Sequence, residues 1–72
     1  MKKIKKIKIS LNGKVKLINE KTSLLKLVKN LKIPLKKVAI ELNQQIMNKK
    51  KLSRKIIKKS DKIEIVHFIG GG

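Results

Sequence analysis

Apolar residues and lysines alternate along the first part of the chain, and the alternation is interrupted at one turn. The run from Ile7 to Leu11 has a period of two, which is typical of a β-strand with one buried face. Asn12 and Gly13 follow directly and tolerate the positive φ angles of a type I′ turn. Val15 and Leu17 then alternate with lysines. Residues 1–18 are therefore predicted to form a β-hairpin.

A helical period follows this hairpin. Apolar residues recur at intervals of one, three and four in the segment 24–31. The hydroxyl of Thr22 or Ser23 is placed to cap the N-terminus of the helix. The helix should end before Pro34, because the residue that precedes a proline is disfavoured in the α region. A helix of about ten residues is marginal alone, so it needs a sheet to pack on.

Strand patterns return after the proline. The segment 38–42 alternates and is predicted as a third strand, residues 43–45 as a turn, and residues 46–47 as a short fourth strand. The polar and basic segment 48–54 is predicted to be a loop or irregular turn.

The rest of the chain is predicted to return to the core and end in a strand. Ile56 and Ile57 should anchor that return, and Ser60 with Asp61 should form a tight turn. Residues 62–69 are rich in β-branched residues and are predicted as the last strand.

The order of these elements predicts the fold class. Two strands, one helix, two more strands and a terminal strand indicate an α+β fold, with the main helix packed across one face of a mixed sheet. The β-grasp, or ubiquitin-like, arrangement fits this order. Residues 1–69 are predicted to form this single domain and residues 70–72 a flexible glycine tail.

A formal net charge of +17 is the most unusual feature of the composition. Such a charge favours nucleic acid or an anionic membrane surface as a partner. Of the 21 basic residues, however, only Arg54 is an arginine, and Phe68 is the only aromatic residue. Bidentate phosphate contacts and base stacking are therefore scarce, which argues against nucleic acid. The abundance of lysine, isoleucine and asparagine is also what an AT-rich genome favours.

The chain shows no sign of a membrane segment or of disulfide chemistry. Lysines interrupt every apolar run well before the roughly 18 residues that a membrane span needs. The basic start of the chain has no continuous apolar region or cleavage site, so we expect a cytoplasmic protein without a leader. Cysteine is absent, which excludes disulfides and a thiolate nucleophile.

The residues that could form an enzyme site are few and scattered. The four acids have no spacing typical of paired catalytic carboxylates or of a metal site: Glu20, Glu41, Asp61 and Glu64. No metal ligand set and no bound cofactor are predicted, and His67 is interpreted as a surface or interface residue. We therefore predict that the chain is not an enzyme.

Three glycines, Gly70, Gly71 and Gly72, follow the last predicted strand. Because glycine lacks a Cβ atom, the walls of a partner's active site can approach such a tail from all sides. Extended, the tail reaches about 10 Å beyond the strand. A terminal carboxyl group is an anion near pH 7 and a poor acyl donor, so a partner would have to activate it, for instance as an acyl adenylate. The alternative is a frayed tail without a function.

Four segments carry a resemblance to a known family: the terminal run 61–72, Leu11 with Asn12 and Gly13, the helix start at 22–28, and the strand 38–43. They resemble the ThiS family, the sulfur carriers of thiamine biosynthesis, and the strand 38–43 resembles that family's central strand. Two departures are Ser60, where members often have glycine, and the segment 48–54, which lacks the usual proline and aromatic residue.

The resemblance implies a β-grasp fold and a cycle of activation at Gly72. An adenylating partner related to ubiquitin-activating enzymes would use ATP and magnesium, a sulfur-donating enzyme would leave a thiocarboxylate, and thiazole synthase would consume the sulfur. Two alternatives of the same class stay open: the small subunit of molybdopterin synthase and a protein-modifying ubiquitin-like protein. A basic nucleic-acid-binding protein is the alternative from another class.

The last strand also offers a docking surface beside the tail. Strict alternation places Val66 and Phe68 on one face and His67 on the other. Val66, His67 and Phe68 are the candidates for partner docking, because an apolar patch beside the tail is what a partner can grip. The alternative is that neighbouring strands cover both faces.

Overall fold

A computed structural model of the protein describes residues 4–68, and its strands form one mixed sheet. Its helix and strands are β1 (Lys6–Leu11), β2 (Lys14–Asn19), α1 (Leu24–Asn30), β3 (Val38–Leu42), β4 (Gln45–Ile46) and β5 (Lys62–His67). Short 3₁₀ turns occupy Leu35–Lys37 and Lys49–Lys51. The five strands follow the order β2-β1-β5-β3-β4, in which β5 is parallel to β1 and antiparallel to β3. The predicted α+β class is confirmed, whereas the predicted tail 70–72 and its boundary at residue 69 lie outside the described residues.

The first hairpin forms as the sequence predicts. Asn12 and Gly13 have φ angles of 50° and 80°, so both central residues of the turn are in the left-handed region that a type I′ turn requires. This two-residue turn pairs Leu11 with Lys14 and fixes the register of the whole hairpin.

The register decides which face of β2 is buried. Residues paired across two strands share a face, and Ile9 is paired with Lys16. Lys16 and Ile18 therefore point toward α1, and Val15 and Leu17 point to the opposite face, where they are 76% and 55% exposed. The apolar alternation seen in the sequence of β2 thus marks its exposed face.

The helix α1 covers one face of the sheet and closes the core. The Ser23 hydroxyl caps it by accepting a hydrogen bond from the Lys26 N–H at 3.1 Å, while Thr22 donates its hydroxyl to the Asn19 carbonyl. The helix ends well before Pro34, as expected, with Lys32 at a φ of 58° just beyond it. The buried core consists of Ile9, Ile18, Leu24, Leu27, Val28, Val38, Ile40, Leu42, Leu52, Ile57, Ile63 and Ile65.

The connection between β4 and β5 carries more of the core than its composition suggests. Leu52, a single apolar residue among basic ones, is fully buried, and its carbonyl accepts the Leu25 N–H at 3.2 Å. Ile57 is buried too, and its N–H donates to the Thr22 carbonyl at 2.8 Å. Ile56 is 42% exposed, so only one of the two isoleucines anchors this return.

Three strand assignments from the sequence are wrong in detail. The fourth strand is Gln45–Ile46, because Asn43 and Gln44 already form a two-residue turn with φ angles of 51° and 70°. The last strand ends at His67 within the described residues, although the Phe68 N–H still donates to the Lys37 carbonyl at 2.9 Å. The centre of the sheet is β5, not β3.

Candidate functional site

The strand β5 leads to the glycine tail and is held differently along its two sides. On one side it pairs with β3 over its length, from the Leu42–Ile63 pair to the Val38–His67 pair. On the other side it pairs with β1 only at its start, at Lys62 and Ile63. The second half of β5 therefore runs past the first hairpin, and residue 68 stands at the end of the sheet.

Asn12 joins the first hairpin to this central strand. Its side-chain Oδ1 accepts the Ile65 N–H at 2.8 Å, and its own N–H donates to the Ile63 carbonyl at 2.9 Å. Its positive φ angle is one that asparagine tolerates better than most residues. A single turn residue thus continues the pairing of β5 beyond the end of β1.

Asn43 likewise supplies a side-chain hydrogen bond to β5, at the start of the strand. Its Oδ1 accepts the Lys62 N–H at 2.9 Å, and its Nδ2 donates to Oδ1 of Asp61 at 3.1 Å. The second carboxylate oxygen of Asp61 accepts the Lys58 N–H at 2.8 Å, which closes the turn before the strand. The sequence places Asp61 in this turn correctly but gives no reason to single out Asn12 or Asn43 as supports of β5.

Replacing Asn12 by alanine should lower the free energy of unfolding by about 1–3 kcal/mol. The substitution leaves the partly buried Ile65 N–H without its acceptor. It also forces a residue with a Cβ atom but no local hydrogen bond into a positive φ angle. Urea denaturation followed by circular dichroism measures the loss.

The matched control is Asn30→Ala, at the exposed end of α1, which should change stability by no more than about 0.5 kcal/mol. Equal losses in the two variants would show that the Asn12 hydrogen bonds contribute nothing specific.

Val66 and Phe68 form an exposed apolar pair, called here the β5 patch, on the face of the sheet opposite α1. They are 48% and 50% exposed, and the Lys49 ammonium lies 5.5 Å from the centre of the Phe68 ring. His67 is exposed as well, but it is paired with the buried Val38 and so belongs to the other face. The structure brings two of the three predicted docking residues together and separates the third.

The acids are scattered, with one exception that the sequence did not reveal. Glu41 and Glu64 are paired directly across β3 and β5, on the same face as the β5 patch. Like charges in this position repel each other, so the pair is not explained by stability. No group of three or more potential ligands within residues 4–68 could hold a metal ion. No helix in the same part of the chain is long and apolar enough to cross a membrane.

A helix across one face of a mixed five-stranded sheet, with the last strand at its centre, defines the β-grasp class of proteins. The fold is similar to that in the crystal structure of the thiamine biosynthesis protein ThiS from Geobacter metallireducens, with a TM-score of 0.81 and 26% identity over 92% of this chain and all of that one. The sequence profile of the ThiS family matches residues 6–72. The chain belongs to the ThiS family.

A longer relative is also similar to this chain. A thiazole synthase from Magnetococcus marinus is 36% identical over 66 residues, which is 92% of this chain. The chain spans about a fifth of the length of that relative, since the match covers 20% of it. Family, fold and relative together confirm the predicted resemblance to the sulfur carriers of thiamine biosynthesis.

Proposed function

We propose that this chain carries sulfur on the carboxyl group of Gly72. A carboxylate oxygen attacks the α-phosphate of ATP in an adenylating partner, releasing pyrophosphate and forming an acyl adenylate. A sulfide equivalent from a sulfur-donating enzyme then displaces AMP and leaves a thiocarboxylate. The activating partner binds the ATP and magnesium, and the carrier contributes the acyl group but no catalytic side chain.

One observation carries this proposal: the central strand of the fold ends at His67, and the three glycines begin three residues further along the sequence. β5 is fixed by β3, Asn12 and Asn43, so the base of the tail has a defined place. The family match continues through residue 72 and therefore includes Gly70, Gly71 and Gly72. A rigid base and a slender tail suit insertion into a partner's active site. We place this cycle in the cytoplasm.

The proposed destination of the sulfur is a thiazole synthase. A thiazole synthase from Magnetococcus marinus contains a segment similar to this chain within one longer polypeptide. That relative supports direct delivery from this carrier to a thiazole-forming enzyme. Transfer to the large subunit of molybdopterin synthase instead would contradict the destination but leave the chemistry at Gly72 intact.

The decisive experiment is intact-protein mass spectrometry after incubation with ATP, magnesium, a sulfur source and an activating enzyme. Replacement of one carboxyl oxygen by sulfur should raise the mass by about 16 units, and fragmentation should place the gain on Gly72. A reaction without ATP is the control. An unchanged mass beside an enzyme that loads its own carrier would refute the proposal.

Replacing Phe68 by alanine should weaken binding to the activating enzyme by about tenfold or more, because the variant removes the largest side chain of the β5 patch. The fold should be retained, since half of this side chain is exposed. Ile56→Ala, at a site of comparable exposure away from the sheet, is the matched control for calorimetric titration. Global unfolding of the Phe68 variant would show that Phe68 is a core residue instead.

Association with the activating enzyme should slow at least about tenfold when the ionic strength rises from low to high. A carrier with a net charge of +17 is steered toward an acidic partner surface, and salt screens that attraction. The dissociation rate should change much less, because distant charges act mainly on encounter. Stopped-flow measurements that give a salt-independent association rate would contradict electrostatic steering.

A further inference from the structure

The outer edge of β2 presents free backbone groups. The Glu20 N–H donates to the Lys5 carbonyl at 2.8 Å, so Lys5 and Glu20 are a hydrogen-bonded pair of the β1–β2 ladder. Hydrogen-bonded and non-hydrogen-bonded pairs alternate along an antiparallel ladder, so the N–H and C=O groups of Val15 and Leu17 point away from β1. No segment within residues 4–68 pairs with them, because β2 is the first strand of the sheet.

Lysines protect this edge against pairing with another basic strand, but no segment within residues 4–68 covers its backbone groups. β2 has six residues, no proline and an uninterrupted register with β1. Exposed edges of this kind are templates for another strand, and proteins normally shorten, bend or cover them. The opposite edge of the sheet, β4, has only two residues. β2 is therefore the edge at which strand addition is geometrically available.

An open cleft of about 480 Å³ lies between β2 and α1, directly beside this edge. Apolar side chains from both elements line it, and lysines surround them. The apolar residues are Ile4, Leu17, Ile18, Leu27 and Leu31, and the lysines are Lys16, Lys21 and Lys26. Glu20 is the single acidic residue that lines the cleft.

We propose that the β2 edge and this cleft bind an extended segment of a partner protein, which adds a sixth strand to the sheet. The segment has apolar residues at its centre and acidic residues on its flanks. Its backbone bonds to Val15 and Leu17, its apolar side chains contact Val15 on one face and the cleft on the other, and its carboxylates meet the lysines. The surface contains no residue of the tail or of the β5 patch, so it extends beyond the proposed carrier function.

A second copy of this chain fits the edge poorly. Each copy has a net charge of +17, and pairing two β2 strands would bring their lysines close together. Charge complementarity therefore selects an acidic segment of another protein.

The test uses a synthetic nine-residue peptide with valine and isoleucine at its centre and glutamate at both ends. On saturation with this peptide, hydrogen exchange at the Val15 and Leu17 amides should slow at least about tenfold. The Lys16 and Ile18 amides, which point toward β1, should be protected with or without peptide and serve as internal controls. Unchanged exchange at Val15 and Leu17 in a saturated complex would overturn the proposal.

Two substitutions test the contacts separately. Leu17→Pro removes an outward N–H without removing a bond to β1, and it should weaken peptide binding at least about tenfold. Lys26→Glu should weaken it about fivefold or more, whereas Lys36→Glu, the same charge change away from the cleft, should have little effect. If the Leu17→Pro variant does not fold, the comparison of Lys26→Glu with Lys36→Glu and the hydrogen-exchange measurements test the proposal.

The occupant is tested by two further measurements. A peptide with lysine in place of glutamate should bind at least about tenfold more weakly, and equal binding would overturn the role of charge. A dimer in sedimentation experiments whose Val15 and Leu17 amides are protected without peptide would assign the edge to a second copy. Neither result bears on loading of Gly72, which is read by mass.

Discussion

Replacing Ile63 by alanine should unfold a large part of the protein at room temperature. Ile63 is fully buried at the centre of the sheet, paired with Leu11 on β1 and with Leu42 on β3. Truncating a buried isoleucine to alanine costs about 2–5 kcal/mol. A single core in a chain of this size rarely supplies more than about 3–5 kcal/mol of stability, so the loss is comparable to the total.

The matched control is Val66→Ala on the same strand. Val66 is half exposed on the other face, so its truncation should cost less than about 1 kcal/mol. Urea denaturation measures the free energy of unfolding of each variant, and its amide NMR spectrum shows whether the native fold is retained. A stable Ile63 variant would mean that the core closes over the lost volume.

Deleting Gly70, so that the chain still ends in two glycines, should slow loading of the carboxyl group by about 100-fold or more. Each extended residue spans about 3.3–3.6 Å, so the deletion withdraws the carboxylate by about that distance from the site of adenylation. A misplacement of about 1 Å can already cost about 100-fold in rate. Single-turnover formation of the acyl adenylate, measured as pyrophosphate release, is the readout.

Gly70→Ala keeps the length of the tail and is the control for this deletion. If reach decides the rate, the alanine variant should load much faster than the shortened one. Equal loading rates for the deletion variant and the wild type would show that the tail is longer than the partner requires. Equal losses in both variants would instead show that the partner's channel tolerates no side chain at this position.

Local patterns predict most of the fold. The period of two around Asn12 and Gly13 gives the first hairpin, because a two-residue turn with positive φ angles fits only a few residue types. The hydroxyl before the apolar run gives the start of α1, and the proline limits its end. These features depend on residues close in sequence, so the sequence displays them directly.

The features that the sequence hides depend on distant contacts. Asn12 meets Ile65 across 53 positions, and Asn43 meets Lys62 across 19, so no local pattern marks either asparagine. Leu52 is buried because the chain folds back against the first turn of α1, although its neighbours in the sequence are polar and basic. The proposed chemistry at Gly72 is indicated only by residue type, position and family.

The pairing of β5 has a mechanical consequence for a protein that is held by its end. A pull on the chain beyond residue 68 acts along β5, and the bonds of an antiparallel ladder lie across the strand direction. The load is therefore shared in shear by the whole β3–β5 ladder, instead of opening it one bond at a time. A partner could therefore pull on the tail without unfolding the domain.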